Sequence, residues 1–304
     1  MCGIVGGIGK NKSVEDVFFG IKRLEYRGYD SFGFASKEKG GIKTFKQMGQ
    51  IGDFNPEKLS QLNGNICIAH TRWATHGGVT INNCHPHLSN NKKIAVVHNG
   101  IIENYQELKK DLIKLGYKFL SETDTEVIPN LIEEKMKAGM KPEEATRRAL
   151  LELKGNYATL VIFEEEEILI GAREGSPLVL GIGKDRNYIA SDVPAFLNFT
   201  NRAIFLNDLE MAIFAKNDFR VVSVESGLLI KKEVEVINWG MDEAKKDGFP
   251  HFMIKEMTEQ PNVLQKTAMM QESDIIQIAS MIKSAKRIFI LACGTAMHAG
   301  IYAS

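Results

Sequence analysis

The chain has 304 residues, 44% of them apolar and 25% charged, which suits one large globular domain or, in our preferred interpretation, two moderate ones. Its formal net charge of +0 and the lack of a long basic run argue against nucleic acid or a membrane surface as the main partner and favour a small-molecule substrate. Four scattered cysteines without a C-x-x-C pair, and no apolar run long enough for a signal peptide or a membrane span, predict a cytoplasmic protein with reduced thiols and no metal site.

The first predicted element is a short buried strand at Ile4-Val5, directly after Cys2 and Gly3. Cys2 becomes the N-terminal residue once Met1 is removed. Its own α-amine, with a pKa of about 7.7 to 8.0, can then accept the proton of a thiol whose pKa is about 8.5. An N-terminal amine activates nucleophiles in this way. On these residues alone, a small buried cysteine at the start of a strand is the alternative, so partner residues elsewhere must decide.

Apolar periodicity predicts the next group of elements. The first helix begins at Ser13, which with Asp16 predicts a capping box, and it ends before Arg27. The other predicted elements are strands at Phe32 to Ala35, Ile42 to Lys46, Ile66 to Thr71 and Ile94 to Val97, and helices at Tyr105 to Leu115, at Ile128 to Ile132 and from Pro142 onward.

At Tyr157 the pattern changes to a series of short strands. Strands first, helices next and strands again predict an α+β fold in which two antiparallel sheets carry helices on their outer faces. The run Glu164 to Glu167 falls between two of these strands, which indicates a solvated hairpin turn rather than a metal site. The predicted strands are Tyr157 to Phe163, Ile168 to Ala172, Leu178 to Gly181, Tyr188 to Ala190, Ala203 to Leu206, Met211 to Ala215 and Val221 to Val224.

A polar, strand-free stretch at Met241 to Pro250 is the best candidate for a domain boundary. We predict a first domain over residues 1–240, a linker over 241–261 and the start of a second domain over 262–304. The second domain is predicted to have helices near Asn262 and at Ile275 to Ile282, then a buried strand at Arg287 to Leu291. That strand leads into a Gly-Thr loop and a helix start, a βα arrangement by which α/β domains bind phosphate.

Two stretches look like functional motifs but do not meet the requirements. Gly3 to Lys10 is glycine-rich, yet a nucleotide-binding P-loop needs glycine where Ile4 stands and serine or threonine where Asn11 stands. His85-Pro86-His87 offers two imidazoles to a metal, but only Cys84 adds a ligand nearby, so a structural loop is the stronger interpretation.

Three other sites have an ordinary interpretation when they are taken singly. Asn99-Gly100 follows a strand and is typical of a hairpin turn or of an exposed backbone amide. Arg72, taken by itself, is interpreted as a surface arginine, because most arginines are exposed. Asp124 precedes an apolar helix and fits a helix N-cap.

Taken together, several motifs closely resemble the glutaminase domain of the glucosamine-6-phosphate synthases, which are glutamine:fructose-6-phosphate aminotransferases (isomerising). The resemblance also includes the sequences after residue 250, so it covers essentially the whole chain. The matching motifs are CGIVG from Cys2, EYRGYDS at Glu25 to Ser31, HTRWATHG at His70 to Gly77, VVHNGIIEN at Val96 to Asn104, SETDTE at Ser121 to Glu126, HFMIKEMTEQP at His251 to Pro261 and ILACGTAMHAG at Ile290 to Gly300.

The resemblance implies an αββα sandwich of the N-terminal nucleophile hydrolase type, followed by the first βα unit of a sugar isomerase (SIS) domain. It implies a class II glutamine amidotransferase in which Cys2 attacks the side-chain amide of L-glutamine, releases ammonia and leaves a thioester that water hydrolyses. In the full-length enzyme, expected to be a homodimer without a cofactor, the ammonia would convert fructose 6-phosphate into glucosamine 6-phosphate.

The resemblance also assigns roles to individual residues. The Asn99 side chain and the Gly100 backbone N–H would form the oxyanion hole. Arg72 would bind the α-carboxylate of glutamine and Asp124 its α-ammonium. The remaining assignments are Thr75 and His76 as pocket lining, Trp73 on a mobile covering loop, Arg27 and Asp30 as supports of the nucleophile, and Thr295 as a ligand of the acceptor phosphate beside Ala296, where many family members have serine.

Two other functions stay open at this point. One is the glutaminase half of another amidotransferase, such as the enzyme that makes phosphoribosylamine. The other is a glutamine-binding module without turnover, which steady ammonia release would exclude. We also expect Ile288 to Leu291 to pack loosely, because a single parallel strand cannot bury both of its faces. The chain alone is therefore expected to act only as a glutaminase.

Overall fold

The computed structural model describes residues 2–9, 12–52, 54–215, 218–238, 249, 252–268, 272–292 and 294–303. The chain divides into two compact units, Met1–Lys245 and Lys246–Ser304. Of the stretch Met241 to Pro250, proposed from sequence as the boundary, all but Phe249 lies outside the described residues. The domain limits at 240 and 261 stay a prediction.

The first unit contains both strands and α-helices as far as residue 150, and after that its regular elements are mainly strands. Its first half comprises β1 (Gly3–Gly9), α1 (Val14–Arg23), β2 (Ser31–Glu38), β3 (Gly41–Met48), β4 (Ile66–Arg72), β5 (His87–Leu88), β6 (Ile94–Ile102), α2 (Tyr105–Lys114), α3 (Val127–Lys137) and α4 (Pro142–Leu150). Its second half comprises β7 (Gly155–Phe163), β8 (Ile168–Glu174), β9 (Val179–Ile182), β10 (Arg186–Ala190), β11 (Arg202–Phe205), β12 (Glu210–Ala215), β13 (Phe219–Ser223), β14 (Leu229–Ile230) and β15 (Glu235–Val236).

These strands form two antiparallel sheets. The order is β15-β11-β9-β10-β1-β4-β2-β3 in the first sheet and β14-β13-β12-β8-β7-β6-β5 in the second. One core cluster joins residues of both sheets, including Ile4, Ile68 and Leu160. A second packs α1 against the first sheet, and a third packs α2, α3 and α4 against the second. The predicted αββα arrangement with outer helices is confirmed.

Strand β1 lies inside the first sheet, between β10 and β4, and all seven of its residues are buried. Successive side chains of a strand point to opposite faces, and accordingly Ile4 packs between the sheets while Val5 packs on the α1 side. At Gly6 an added Cβ would lie 2.8 Å from Leu160 Cδ1 of the facing sheet, so glycine permits the close approach. The segment that follows Cys2 is therefore held on both faces and both edges.

Local sequence rules fail where tertiary partners compete with them. The predicted capping box at the start of α1 is wrong, because the Ser13 side chain caps nothing and its Oγ donates instead to the Asn65 carbonyl at 2.6 Å. Asp16 pairs with Arg186 and accepts a hydrogen bond from the Tyr188 hydroxyl at 2.7 Å. The sequence analysis also missed β5, β14 and β15, which are two residues long and show no periodicity.

The second unit contains α5 (Phe252–Ala268), α6 (Glu272–Ser284) and α7 (Gly294–Ala303). The helix expected near Asn262 begins ten residues earlier, at Phe252, with Pro261 inside it. The strand predicted at Arg287 to Leu291 is wrong, because the described residues of this unit include no strand with which it could pair. Phe289 and Leu291 are accordingly 80% and 94% exposed. The Thr295 side chain lies outside the described set, so its phosphate contact stays a prediction. Among the described helices, none is long and apolar enough to cross a membrane.

Candidate active site

Cys2 stands at the entry of β1, opposite the end of β4. The pairing of Gly3 with Thr71 brings the residue after β4, Trp73, next to the cysteine. The Trp73 backbone N–H donates to Cys2 Sγ at 3.1 Å, and the thiol lies 3.5 Å from the Trp73 carbonyl oxygen. Gly3 is required here, since an added Cβ would lie 2.6 Å from Thr71 Oγ1. The antiparallel ladder therefore sets the position of the sulfur.

Burial raises the pKa of the Cys2 thiol, while the Trp73 N–H and the Arg72 charge lower it. The net direction is upward, so the resting side chain is a protonated thiol. A nucleophilic thiolate therefore needs a base to remove this proton.

The backbone carbonyl of Cys2 is fixed by two donors. Asn99 Nδ2 donates to it at 2.8 Å and Arg27 Nε at 3.3 Å. Arg27 is itself held by an ion pair with Asp192 at 3.2 Å. Asp30 accepts a hydrogen bond from the Ala74 N–H at 2.7 Å, on the loop that follows Trp73. Arg27 thus fixes the backbone of Cys2, and Asp30 fixes the loop beside it.

Asn99 and Gly100 belong to β6, in the second sheet, and the interpretation as a hairpin turn is wrong. They pair with Ala158 and Tyr157 of β7. Gly100 has a φ of 126°, and an added Cβ would lie 1.9 Å from the Asn156 carbonyl oxygen. A side-chain amide has two N–H groups, so Asn99 keeps one for a further acceptor when the other binds the Cys2 carbonyl.

Arg72 is 3% exposed, so the surface interpretation is wrong. Its guanidinium donates to the carbonyl oxygens of Gly78 at 3.0 Å and Gly77 at 3.2 Å, and also to that of His76. The same loop is tied from outside by Glu122, which accepts a hydrogen bond from the Gly78 N–H at 3.2 Å. Sequence reasoning missed this role of Glu122, although the residue stands inside the SETDTE motif.

Asp124 is also buried, at 5% exposed, and it does not cap α3. The N-cap of that helix is Glu126, without a side-chain cap bond. Asp124 Oδ2 instead accepts a hydrogen bond from the Ile102 N–H at 2.7 Å, at the end of β6. The carboxylate is thereby fixed to the strand that carries Asn99 and Gly100.

One small cavity gathers most of the predicted site residues. Its lining includes Cys2, Arg72, Trp73, Thr75, His76, Gly100 and Asp124. The cavity measures about 20 Å³, which holds about one water molecule. Glutamine is much larger than water, so the loop at Trp73 to Gly78 must move to admit it. Trp73 is half-exposed and packs against Tyr29, with ring centroids 5.3 Å apart.

A cluster of four buried histidines adjoins the cavity, and two of its members, His85 and His98, line it. Sequence reasoning found only half of this cluster. His70 stacks on His85 at 3.9 Å with an interplanar angle of 9°, and His85 meets His87 edge to face at 4.7 Å. Burial lowers the pKa of His70 to about 3 and holds those of His85, His87 and His98 below the usual value. These rings are neutral at physiological pH. Within the described ranges, no group of three or more His, Cys, Asp or Glu side chains could hold a metal ion.

Comparison with known proteins gives matches along the whole chain. Residues 70–198 match the family model described as a glutamine amidotransferase domain. Relatives named glutamine--fructose-6-phosphate aminotransferase (isomerizing) include one from Pyrococcus horikoshii, 45% identical over 99% of this chain and 51% of its own length. Another, from Sulfurisphaera tokodaii, is 41% identical over 100% of this chain and 53% of its own length. The chain spans about half the length of the curated relatives that it matches.

Solved structures show a similar fold. The glutamine phosphoribosylpyrophosphate amidotransferase from B. subtilis, complexed with ADP and GMP, matches with a TM-score of 0.65 and 26% identity. The match covers 75% of this chain and 50% of that one.

Proposed function

We propose that this chain is a class II glutamine amidotransferase and that it hydrolyses L-glutamine to glutamate and ammonia through a thioester on Cys2. The observation that carries the proposal is the position of the Cys2 sulfur, which lies 3.1 Å from the Trp73 N–H in a cavity lined also by Arg72 and Asp124. Nucleophile and opposite charges thus line one enclosed space. This is the arrangement that an amino-acid substrate with a reactive side chain requires.

The reaction begins with transfer of the Cys2 thiol proton to the α-amine that removal of Met1 exposes. The thiolate attacks the amide carbon of glutamine, and the carbon–oxygen double bond opens to a tetrahedral oxyanion. The free N–H of Asn99 and the Gly100 N–H stabilise that charge. The amine returns its proton to the leaving nitrogen as the carbon–nitrogen bond breaks, so ammonia departs. Water then attacks the thioester by the same route and releases glutamate.

The two buried charges orient the substrate. The planar guanidinium of Arg72 suits a carboxylate, and Asp124 suits an ammonium group. Three loop carbonyls accept hydrogen bonds from Arg72, and the Ile102 N–H donates to Asp124, so each charged group has a defined position before substrate arrives. Thr75 and His76 complete the lining on the loop side.

The fate of the ammonia is proposed from the relatives, of which this chain spans about half. Their names favour transfer of the ammonia to fructose 6-phosphate. The resemblance of the motifs extends this proposal to glucosamine 6-phosphate as the product and to a longer, cytoplasmic, homodimeric protein. The similarity to the phosphoribosylpyrophosphate amidotransferase is weaker, at 26% identity, and it covers less of the chain. Phosphate binding at Thr295 belongs to this acceptor half of the proposal.

The test is to assay the purified 304-residue chain for glutamate and ammonia release from glutamine, beside a Cys2→Ser variant. We expect steady turnover that the variant lacks and that fructose 6-phosphate does not stimulate. Binding of glutamine without turnover would replace the proposal with the non-catalytic module. Amino-sugar formation by this chain would contradict its restriction to the glutaminase step.

A further inference from the structure

His70 is buried beside the proposed oxyanion donor and has no role in the mechanism described above. It lies on β4, opposite Ile4 of β1, and is 1% exposed. Ile66 and Ile68 of the same strand belong to the core between the two sheets. Side chains two residues apart share a face of a strand, so His70 also points into the space between the sheets.

His70 connects the sheet that carries Cys2 to the sheet that carries Asn99. Its Nε2 lies 3.1 Å from the carbonyl oxygen of His98, the residue that precedes Asn99 on β6. A carbonyl oxygen only accepts, so Nε2 carries the proton and donates. The hydrogen bond therefore fixes the backbone of β6 one residue from the proposed donor.

A second imidazole holds the same peptide segment. The His98 backbone N–H donates to His85 Nδ1 at 3.3 Å, and the His85 ring stacks on His70. Both polar backbone groups of His98 are thus bound by rings that support each other. A change at His70 would release one side of this clamp.

The Asn99 side chain also affects the titration of His70. Burial lowers the pKa of His70, whereas the His98 carbonyl and the Asn99 side chain act to raise it. Neither His70 Nδ1 nor Asn99 Oδ1 has a hydrogen-bond partner within the described part of the chain. Because the neutral ring carries its proton on Nε2, Nδ1 is an acceptor and cannot donate to Asn99 Oδ1, which agrees with the lack of a hydrogen bond between these two atoms.

We propose that His70 is a positioning residue of the glutaminase reaction, which holds the oxyanion donor Asn99 in register with Cys2 across the two sheets. The role rests on the proposed function, since it concerns the barrier of that reaction. It predicts an effect on kcat, because the oxyanion exists only in the transition state and the intermediate. The KM for glutamine should stay nearly constant, since the substitution leaves untouched the charge clamp, that is, Arg72 and Asp124, which are proposed to bind the charged groups of the substrate.

The experiment compares two polar substitutions of His70. In His70→Gln the amide nitrogen can take the place of Nε2, whereas in His70→Asn the side chain is too short to reach the His98 carbonyl. We expect His70→Asn to lower kcat by about 10- to 100-fold, less than the about 10²- to 10³-fold typical for loss of an oxyanion donor itself. His70→Gln should recover most of that loss, and KM should change by less than about twofold in both variants.

Two controls separate positioning from general damage. His87→Asn alters a neighbouring buried histidine whose side chain contacts Thr123 and not the His98 peptide, and it should leave kcat within about threefold. In an Asn99→Ala background, His70→Asn should add little, because the group that it positions is absent. An equal loss in that background, or a loss in KM rather than kcat, would overturn the role of His70 alone. A wild-type chain that releases no ammonia would instead contradict the proposed function.

Discussion

The two halves of the candidate site are held in different ways. Cys2, Asn99 and Gly100 lie on or directly before strands of two packed sheets, where ladder hydrogen bonds and buried side chains fix them. Trp73, Thr75 and His76 lie on the loop after β4, which side-chain hydrogen bonds of Arg72, Asp30 and Glu122 hold in place of a strand ladder.

In the proposed reaction, the strand-borne half carries the groups that act in the chemical step, and the loop-borne half carries the groups that control entry of the substrate. Groups that must meet a transition state within a fraction of an ångström are placed on rigid strands. Groups that must let the substrate enter a cavity of about 20 Å³ are placed on a loop that side-chain hydrogen bonds hold, without a strand ladder. Substitutions in the strand-borne half should therefore lower kcat, and substitutions of the loop anchors should act on KM.

The largest effect that we expect on kcat among residues other than Cys2 is at Asn99. Asn99→Ala removes a proposed oxyanion donor and one of the two donors to the Cys2 carbonyl, so kcat should fall by about 10²- to 10³-fold. Asn99→Asp provides a nearly isosteric control that replaces the donor with an acceptor and should be at least as slow. Steady-state kinetics with glutamine measures both. A fall in kcat smaller than about fivefold in Asn99→Ala would contradict the assignment.

The next largest effect is expected at the charge clamp, Arg72 and Asp124. Arg72 binds the carbonyls of the loop, and Asp124 is fixed to β6. Truncating one buried charge typically costs about 2 to 5 kcal/mol, so Arg72→Ala or Asp124→Ala should lower kcat/KM for glutamine by roughly 30-fold or more. Arg72→Lys is the control, because a lysine keeps the charge but cannot reproduce the planar fork. Near-wild-type kinetics in both alanine variants would refute the clamp.

The pH dependence of stability tests the cluster of four buried histidines that adjoins the strand-borne half. The pKa of His70 is lowered to about 3, and those of His85 and His87 are also lowered, whereas an unfolded histidine titrates near about 6.5. Below about pH 6.5 the unfolded chain binds more protons than the folded chain. The contribution of these histidines to the free energy of unfolding is therefore fully present above that pH and is lost as the pH drops. Each such histidine contributes about 1.4 kcal/mol per pH unit.

Urea unfolding at pH 7.5 and pH 5.5 should therefore give free energies of unfolding that differ by a few kcal/mol, with the lower value in acid. His87→Gln should show a shallower dependence, because one buried histidine is gone. Equal free energies of unfolding at the two pH values would show that these histidines titrate in the folded chain as they do in the unfolded chain.

The smallest effect should come from the outer anchor of the loop. Glu122 accepts hydrogen bonds from the Gly78 N–H at 3.2 Å and from Asn83 Nδ2 at 3.0 Å, and the bond from Asn83 is the larger cause of its lowered pKa. Glu122→Ala should raise the KM for glutamine by about two- to fivefold with little change in kcat, as expected for an exposed polar contact. Glu107→Ala on α2 is the control and should change neither. A Glu122→Ala variant that lowered kcat alone would remove the distinction between the two halves.

Much of the strand-borne half was predictable from sequence. Two stretches show the apolar pattern of buried strands, namely Ile4-Val5 after Cys2 and the run before Asn99. The resemblance of the motifs and of their order to a known glutaminase domain assigned both stretches to one site. Periodicity could not show that Asn99 and Gly100 continue β6, because Asn-Gly is also a common hairpin turn. Nor could it show that His70 and His98, far apart in sequence, meet across two sheets.

For the loop-borne half, the sequence predicted which residues belong to the site but not the contacts that hold them. Arg72 has three carbonyl partners within six residues, but nothing local distinguishes it from a surface arginine. The contact between Glu122 and Gly78 spans 44 positions and depends on the tertiary fold. In the second unit, Ile288 to Leu291 have the composition of a strand, yet a strand requires a partner, and the described residues there provide none.

The central claim is that Cys2 is the nucleophile and that its own amine is the base. The most direct measurement is the intact mass of the active protein before and after treatment with an electrophilic glutamine analogue. We expect Met1 to be absent, one analogue to be bound per chain, and peptide mapping to place it on Cys2 and on none of Cys67, Cys84 or Cys293. Fully active protein that retains Met1, or a label on another cysteine, would contradict the account.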